Sequence, residues 1–361
     1  MTGAGATPRV SVVMAVLDGE HHVRHGVGSL LAQTYPDFEL IVVNDGSTDG
    51  TADAVRSFGD ERIRMVENER NLGLAASLNR GLALARGEFV ARQDVDDASA
   101  PERLARQVAF MDAHPEVSLL GSWYREVDAS GVSMAERQLP VEHEDILWAL
   151  HFHSPFVHSA VLWRRAPVRD MVGGYDERLR YSMDYDLWCR AAEQLRTANL
   201  PAALLALRVH DQSMTATYGP HADEGRRMRA ARAARILRWE AGRVGADEVT
   251  DAVMRRFERL YSLLHGPLAV RSADELRQDL ADLRRLHDVF CAGHALAGGI
   301  VRGQQSRMAR RLARRLAAAA RRCAAAGRPG DALAHLAQAA LSGFRASSHV
   351  GPPLGRTPGH V

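Results

Sequence analysis

Three carboxylates crowd the end of one apolar run: Phe89-Val-Ala-Arg-Gln-Asp-Val-Asp-Asp97 closes on Asp94, Asp96 and Asp97. Phe89 to Ala91 read as a buried strand, because Gly87 punctuates just before them and β-formers fill the interior. The acids then fall at the strand's carboxyl end, where open α/β sheets place their ligands. Like charges this close repel unless a cation or donors neutralise them. Asp94 and Asp96 stand one residue apart, so in extended backbone they point the same way and can share one hard cation. The same residues also suit a solvated acidic turn capping the next helix, with Pro101 near its first turn. Asp45 poses a similar choice at the end of Phe38 to Val43. Followed by Gly46, it can face a ligand lying across the strand ends, or serve as a cap or Asx turn beside Ser47, Thr48 and Asp49. Neither acidic loop is an EF-hand, since the twelfth positions are Arg56 and Ala105 where a bidentate Glu is required. Asp184 and Asp186 lie in the first turn of a helical stretch, where the macrodipole favours carboxylates and capping is explanation enough.

The elements that must position these residues follow from periodicity. Val10 to Val16 is a continuous apolar run of the kind buried on both faces of a parallel sheet. His21 to Gln33 carries Val23, Val27, Leu30 and Leu31 at helical spacing, Thr51 to Phe58 is a short helix, and Ile63 to Val66 a short strand. Asn71 to Arg86 reads as a helix with Leu74, Leu78, Leu82 and Ala85 on one face. Strands alternating with short helices imply right-handed βαβ crossovers and an α/β, mostly parallel, doubly wound sheet. A helix is expected over Pro101 to His114, a strand over Val117 to Tyr124, a hairpin turn at Asp128 to Gly131, and helices over Ile146 to Leu150 and Met183 to Leu195. Trp188 reads as a packing residue. His151, His153 and His158 read as polar wall residues rather than a zinc cluster.

After Tyr218-Gly-Pro220 the composition turns Ala-, Arg-, Leu- and Glu-rich, which predicts helices near 222–241, 247–265, 273–294, 305–326 and 330–344. Residues 317–341 look like a single tetratricopeptide-like hairpin, too little for a solenoid. Residues 301–330 hold nine arginines and no acid. With Met308, Leu312, Leu316 and Cys323 near one face, residues 302–322 form a basic amphipathic helix. It suits an anionic membrane, an acidic protein partner, or simple packing with solvated arginines. The expected organisation is a catalytic domain at 8–218, a helical domain at 219–345 and a disordered Pro/Gly-rich tail at 346–361.

Composition narrows the class. The 361 residues are 46% hydrophobic and 25% charged, as in globular proteins, and the net charge of +2 makes no case for nucleic acid. Every basic side chain is Arg. Cys189, Cys291 and Cys323 stand far apart, which excludes a disulfide framework or a Cys-based zinc site and suits a reducing cytoplasm. No signal-peptide pattern opens the chain, and no run of about 18 apolar residues occurs. The expected location is cytoplasmic, with a peripheral place at the inner face of a membrane as the variant that the arginine helix suggests.

In order along the chain, SVVMAV, SLLAQTYPDFELIVVNDGSTDGT (29–51), NLGLAASLNRGLALARGEFVARQDVDD (71–97) and GGYDERLRYSMDYDLWCR (173–190) resemble family 2 glycosyltransferases. The resemblance covers roughly 10–212 and implies a GT-A fold with inverting transfer of a sugar from a UDP-, GDP- or dTDP-sugar. The acceptor would be a sugar, a lipid-linked molecule or a small molecule. It also implies Mg²⁺ or Mn²⁺, with Asp94, Asp96 and His210 at the metal and Ala15, Asp45, Asn71, Asp94 and Arg208 at the nucleotide sugar. Met183-Asp-Tyr-Asp-Leu187 matches the family's Glu-Asp-x-Asp-Leu, which makes Asp184 the catalytic base and leaves Asp186 to hold the helix start. His158, Ser159, Arg164 and Arg165 resemble the family segment preceding that helix. Arg92 is either a further charge at the site or a surface arginine. Two departures stand out: Ala15-Val-Leu-Asp18 where the family often has Pro-x-Tyr-Asn, and Met183 in place of Glu. Two rivals fit less well. A nucleotidyltransferase needs a Gly-rich phosphate loop that Val16 to Gly19 does not offer, and a non-catalytic scaffold has no use for the base.

Overall fold

A computed structural model describes residues 7–211, 223–237, 249–265 and 273–325. The chain forms two compact units, one of residues up to 225 without 151–153, the other of 151–153 and residues from 226 onward.

The first unit is built on a nine-stranded sheet. Strand β1 (Val10–Val16) lies between β2 (Phe38–Asn44) and β4 (Phe89–Arg92), with β3 (Ile63–Glu67) outside β2, all four parallel. Each residue of β1, β2 and β4 is buried, the pattern of strands covered on both faces. Helices α1 (Glu20–Leu31), α2 (Thr51–Arg56) and α3 (Leu74–Leu84) make the crossovers. Parallel strands point their C-terminal ends the same way, so Asp45 and the acids after β4 emerge at the same edge of the sheet.

Beyond β4 the sheet becomes mixed. Strand β8 (Leu162–Arg164) runs antiparallel between β4 and β6 (Val117–Val127), and β9 (Arg196–Arg208) runs parallel to β6. The two-residue strand β5 (Ala98–Ser99) pairs antiparallel with β9, and β7 (Ser133–Arg137) closes the hairpin on β6. The helices on this side are α4 (Arg103–Ala113), α5 (His143–Ala149), the single turn α6 (Arg165–Pro167) and α7 (Met183–Gln194).

Several expectations need correction. The helix expected from residue 71 starts at Leu74, because residues 71–73 are drawn into a loop around Asp45, with Gly73 at φ +93. Strands β5, β8 and β9 carried no strand signal. The sequence of β9, RTANLPAALLALR, is Ala- and Leu-rich with an internal Pro, a composition that tertiary pairing overrides. Pro201 falls where the register jumps from Ser122↔Leu200 to Trp123↔Ala203, a bulge that removes the need for its missing N–H.

Apart from the turn at 151–153, the described residues of the second unit form helices and their short connections: α8 (Asp223–Leu237, starting in the first unit), α9 (Asp251–Leu264), α10 (Ala273–Gly293) and α11 (Gly298–Ala325). Thr250 caps α9, accepting from the Val253 N–H at 3.3 Å. Asp279 and Asp282 are buried and pair with Arg259 and Arg256 at 3.0 and 2.8 Å. On α11, expected from 305 and observed from Gly298, Met308, Leu312 and Leu316 are buried. Arg315 donates to the Leu263 and Ser262 carbonyls at the end of α9. The apolar face of the arginine helix is thus spent on packing. The expected helix at 330–344, the second arm of the 317–341 hairpin and the tail at 346–361 lie outside the described residues.

Candidate active site

The acidic loop is held from behind by buried polar groups. The Gln93 amide donates to Gly26 O and Asp97 O, both at 3.1 Å, and its Oε1 accepts from the Ser99 hydroxyl. Arg103, fully buried, donates to Arg92 O at 2.9 Å, Val161 O at 3.1 Å and Ser99 Oγ at 2.9 Å. It has only neutral acceptors, and burial pulls its guanidinium down to about 9. The loop presses on α1 at Gly26, where an added Cβ would lie 2.1 Å from Val95 O.

Arg92 is fully buried, so the surface reading is wrong. Its guanidinium pairs with the Asp94 carboxylate and donates to Ser159 Oγ at 3.2 Å. Ser159 in turn donates to Asp94 Oδ2 at 3.0 Å. Burial alone would raise the Asp94 carboxyl; the Arg92 charge outweighs it and the net shift is downward. Asp96 meets His210 Nε2 at 3.0 Å, and His210 stacks on His22 with ring centroids 5.1 Å apart. Asp97 accepts from the Arg208 backbone N–H at 3.0 Å. One oxygen from each of Asp94, Asp96 and Asp97 lies within 4.8 Å of the others, the sole such cluster among the described residues. Burial, then the charges of Asp94 and Asp96, push the Asp97 carboxyl up to about 8. Hard oxygen donors in mutual repulsion are the donor set that suits a divalent cation. Asp97 was not expected as a ligand, although it stands in the same acidic run. His151 and His153, on the second unit, ring-pack with Phe290 and His265 and join no metal-binding cluster among the described residues.

Of the expected nucleotide-sugar residues, Ala15 and Asp45 are buried, Asp94 and Arg208 half-buried and Asn71 exposed. Asp45 is 4% exposed; its Oδ1 accepts from Asn68 Nδ2 at 2.7 Å and Leu72 N at 2.8 Å, and its Oδ2 from Gly73 N at 3.0 Å. Asn71 accepts from Gly73 N at 2.9 Å. Asp45 and Asn71 therefore shape the 68–73 loop at the strand ends. Ala15 is buried in β1 opposite Val43. The Arg208 side chain donates to the backbone carbonyls of Asp96, Asp128 and Ala129, tying the acidic loop to the β6–β7 turn.

Asp184 sits half-buried in the first turn of α7 and accepts from Tyr185 N at 2.7 Å. Burial pushes its carboxyl up to about 6; the Arg92 charge lowers it and the Asp94 charge raises it, which puts Asp184 within electrostatic reach of the acidic loop. The helix start favours the charged form; desolvation raises the carboxyl all the same, yet at about 6 the group stays mostly ionised at neutral pH. Asp186 does not cap the helix. It pairs with Arg190 at 2.7 Å, one turn on, and Arg190 donates to the carbonyls of Val172 and Gly174. His158 Nε2 meets the Tyr175 hydroxyl at 2.8 Å, and Tyr175 is raised first by burial and further by Asp184 and Asp94. Trp188 is buried among Phe156, His158 and Trp163, as its packing role requires.

The family model described as Glycosyl transferase family 2 matches residues 11–169. The putative glycosyltransferase EpsE of Bacillus subtilis is 37% identical over 206 residues, 56% of this chain and 73% of that protein. The amylovoran biosynthesis glycosyltransferase AmsE of Erwinia amylovora is 36% identical over 50% of this chain and 68% of its own length. The O-antigen biosynthesis glycosyltransferase WbnJ of Escherichia coli is 30% identical over 56% and 81%. Among solved structures, S. aureus TarS 1–349 in complex with UDP-GlcNAc superposes with TM-score 0.55 at 20% identity, over 79% of this chain and 84% of that one. The mannosyltransferase PcManGT of Pyrobaculum calidifontis, in complex with GDP-Man and Mn²⁺, gives 0.50 at 19% identity, over 81% and 77%. At such identities the structures show a shared fold alone, the GT-A fold.

Proposed function

The chain belongs to glycosyltransferase family 2, and from that premise we propose that it moves a sugar from a nucleotide-diphosphate sugar to an acceptor hydroxyl, with inversion, in assembly of a cell-surface polysaccharide or glycoconjugate. The observation that carries this reading is the cluster of three carboxylates after β4, with Asp184 half-buried in the first turn of α7 as the remaining candidate for a base. Asp184, with its carboxyl near 6, is ionised at neutral pH yet basic enough to take a proton from the acceptor hydroxyl. The acceptor oxygen then bonds to the anomeric carbon as the bond to the diphosphate breaks. One base and one displacement, with no protein nucleophile, invert the centre. Asp94, Asp96 and Asp97 would hold Mg²⁺ or Mn²⁺, which supplies neutralisation of charge on the leaving diphosphate. Arg92 and Ser159 hold Asp94 in place, and His210 holds Asp96.

Support for the pathway comes from the amylovoran and O-antigen names of AmsE and WbnJ, and support for the donor class from the UDP-GlcNAc and GDP-Man complexes of the fold neighbours. An acidic partner or anionic membrane at residues 302–322 would have to meet arginines alone, since the apolar face of α11 is buried.

A thermal-shift panel of UDP-, GDP- and dTDP-sugars with Mn²⁺ tests the donor reading. A donor at 100 times its dissociation constant should add about 2.7 kcal/mol of stability. Asp96→Ala should abolish that gain and lower turnover by about a thousandfold, the several kcal/mol that metal-ion neutralisation provides. Silence of the whole panel, or full turnover by the mutant, contradicts the proposal.

A further inference from the structure

Helix α7 carries the base but lacks a cap of its own. Ser182 occupies the N-cap position without a side-chain hydrogen bond, and Asp186 is engaged with Arg190. The N–H groups at a helix start require partners from elsewhere. One carboxylate takes the N–H of the N-cap residue Ser182 together with those of the two residues before it. Glu224 Oε1 accepts from Arg180 N at 3.2 Å, and its Oε2 accepts from Tyr181 N at 2.9 Å and Ser182 N at 2.7 Å. Glu224 is the second residue of α8, 42 positions after Ser182 and outside the family-matched 11–169.

We propose that Glu224 is the positioning residue for the catalytic base: it caps α7 from a distance and fixes where Asp184 meets the acceptor. The inference rests on the reading of Asp184 as the base. Three convergent N–H donors fix the carboxylate in two directions, and an anion at a helix N-terminus is stabilised by the macrodipole as well. The opposite end of the same segment is anchored separately. Asn79 donates to Tyr175 O and accepts from Tyr175 N, and Arg190 holds the Val172 and Gly174 carbonyls. The stretch from Tyr175 to Ser182 is therefore pinned at both ends, and Glu224 is the pin next to Asp184. Its loss leaves the Gly174 end in place and releases the end that carries the base. The donor residues on the acidic loop and after β2 are untouched, so the effect belongs in kcat and not in donor affinity.

The test uses the full chain and two variants, Glu224→Ala and the shape-conserving Glu224→Gln, beside Asp184→Asn. Backbone hydrogen exchange at Arg180, Tyr181 and Ser182 reads the clamp directly. Release of nucleoside diphosphate from UDP-GlcNAc, UDP-glucose and GDP-mannose with Mn²⁺ reads turnover, with water as acceptor. Both Glu224 variants should speed exchange at those three amides, leave residues 187–194 protected, and lower kcat about tenfold or more with KM for the donor unchanged. Unchanged exchange overturns the clamp. Faster exchange with wild-type kcat overturns the positioning role and leaves a purely structural cap. Wild-type kcat in Asp184→Asn is a different failure, that of the base reading itself.

Discussion

The acidic loop and the segment that leads to Asp184, the proposed base, are held in opposite ways. Asp94, Asp96 and Asp97 extend from a strand buried on both faces, and Gln93, Arg103 and Arg92 brace them from the sheet interior. Asp184 follows a segment whose residues 176–182 are half-buried or exposed, between the buried Tyr175 and Met183, pinned by Asn79, Arg190 and Glu224. Fixed geometry suits the donor side, where a diphosphate and a cation set distances within a few tenths of an ångström. A tethered segment suits the proposed acceptor side, where the base has to meet a hydroxyl rather than a fixed ion. Damage to the bracing of the first loop should therefore cost folding stability, and damage to the pins of the second should cost turnover with little loss of stability.

Gly26→Ala should break the first half of that contrast most severely. A Cβ placed 2.1 Å from Val95 O meets backbone that cannot swing aside, so α1 and the acidic loop must separate. A loss of about 3 kcal/mol, the upper end for overpacking, is expected in urea unfolding, together with weaker Mn²⁺ binding. A wild-type midpoint would mean that the loop is looser than described.

Arg92→Met comes next. Removing one partner of a fully buried pair costs about 3–5 kcal/mol, but the Asp94 side chain is 35% exposed and water can solvate it. About 2 kcal/mol is the expected loss. An unchanged unfolding midpoint would show that the pair contributes nothing net.

The smallest effect sharpens the second half. The Asp184 carboxyl, pushed up to about 6, must be deprotonated to act, so kcat should be flat above that pH and fall about tenfold per unit below it. A limb near pH 4 would mean that the site is as wet as bulk solvent.

The same contrast governs what sequence could reveal. The β1–α1–β2–α2–β3–α3–β4 run was legible because β1, β2 and β4 are largely apolar and buried and α1 and α3 keep 3.6-residue periodicity. Strand β9 was not, since its Ala- and Leu-rich sequence with Pro201 carries no local strand preference and is ordered by β6. Asp94 and Asp96 were legible from strand-end position and spacing, but Asp97 was passed over although burial brings it into the cluster. The burial of Arg92, the Asp186–Arg190 pair and the Glu224 clamp involve choices of partner that spacing alone does not encode. Asp186 could have been read correctly, because Asp186 and Arg190 stand at i, i+4 on one helix.

The claim that Asp184 is the base of a sugar transfer is tested most directly by Asp184→Asn, which keeps shape and removes basicity. Turnover should fall at least about a hundredfold while the donor dissociation constant, measured with Mn²⁺ by calorimetry, stays within about twofold. Normal turnover in Asp184→Asn, with Asp186→Asn inactive, would contradict the assignment and move the base two residues along the helix.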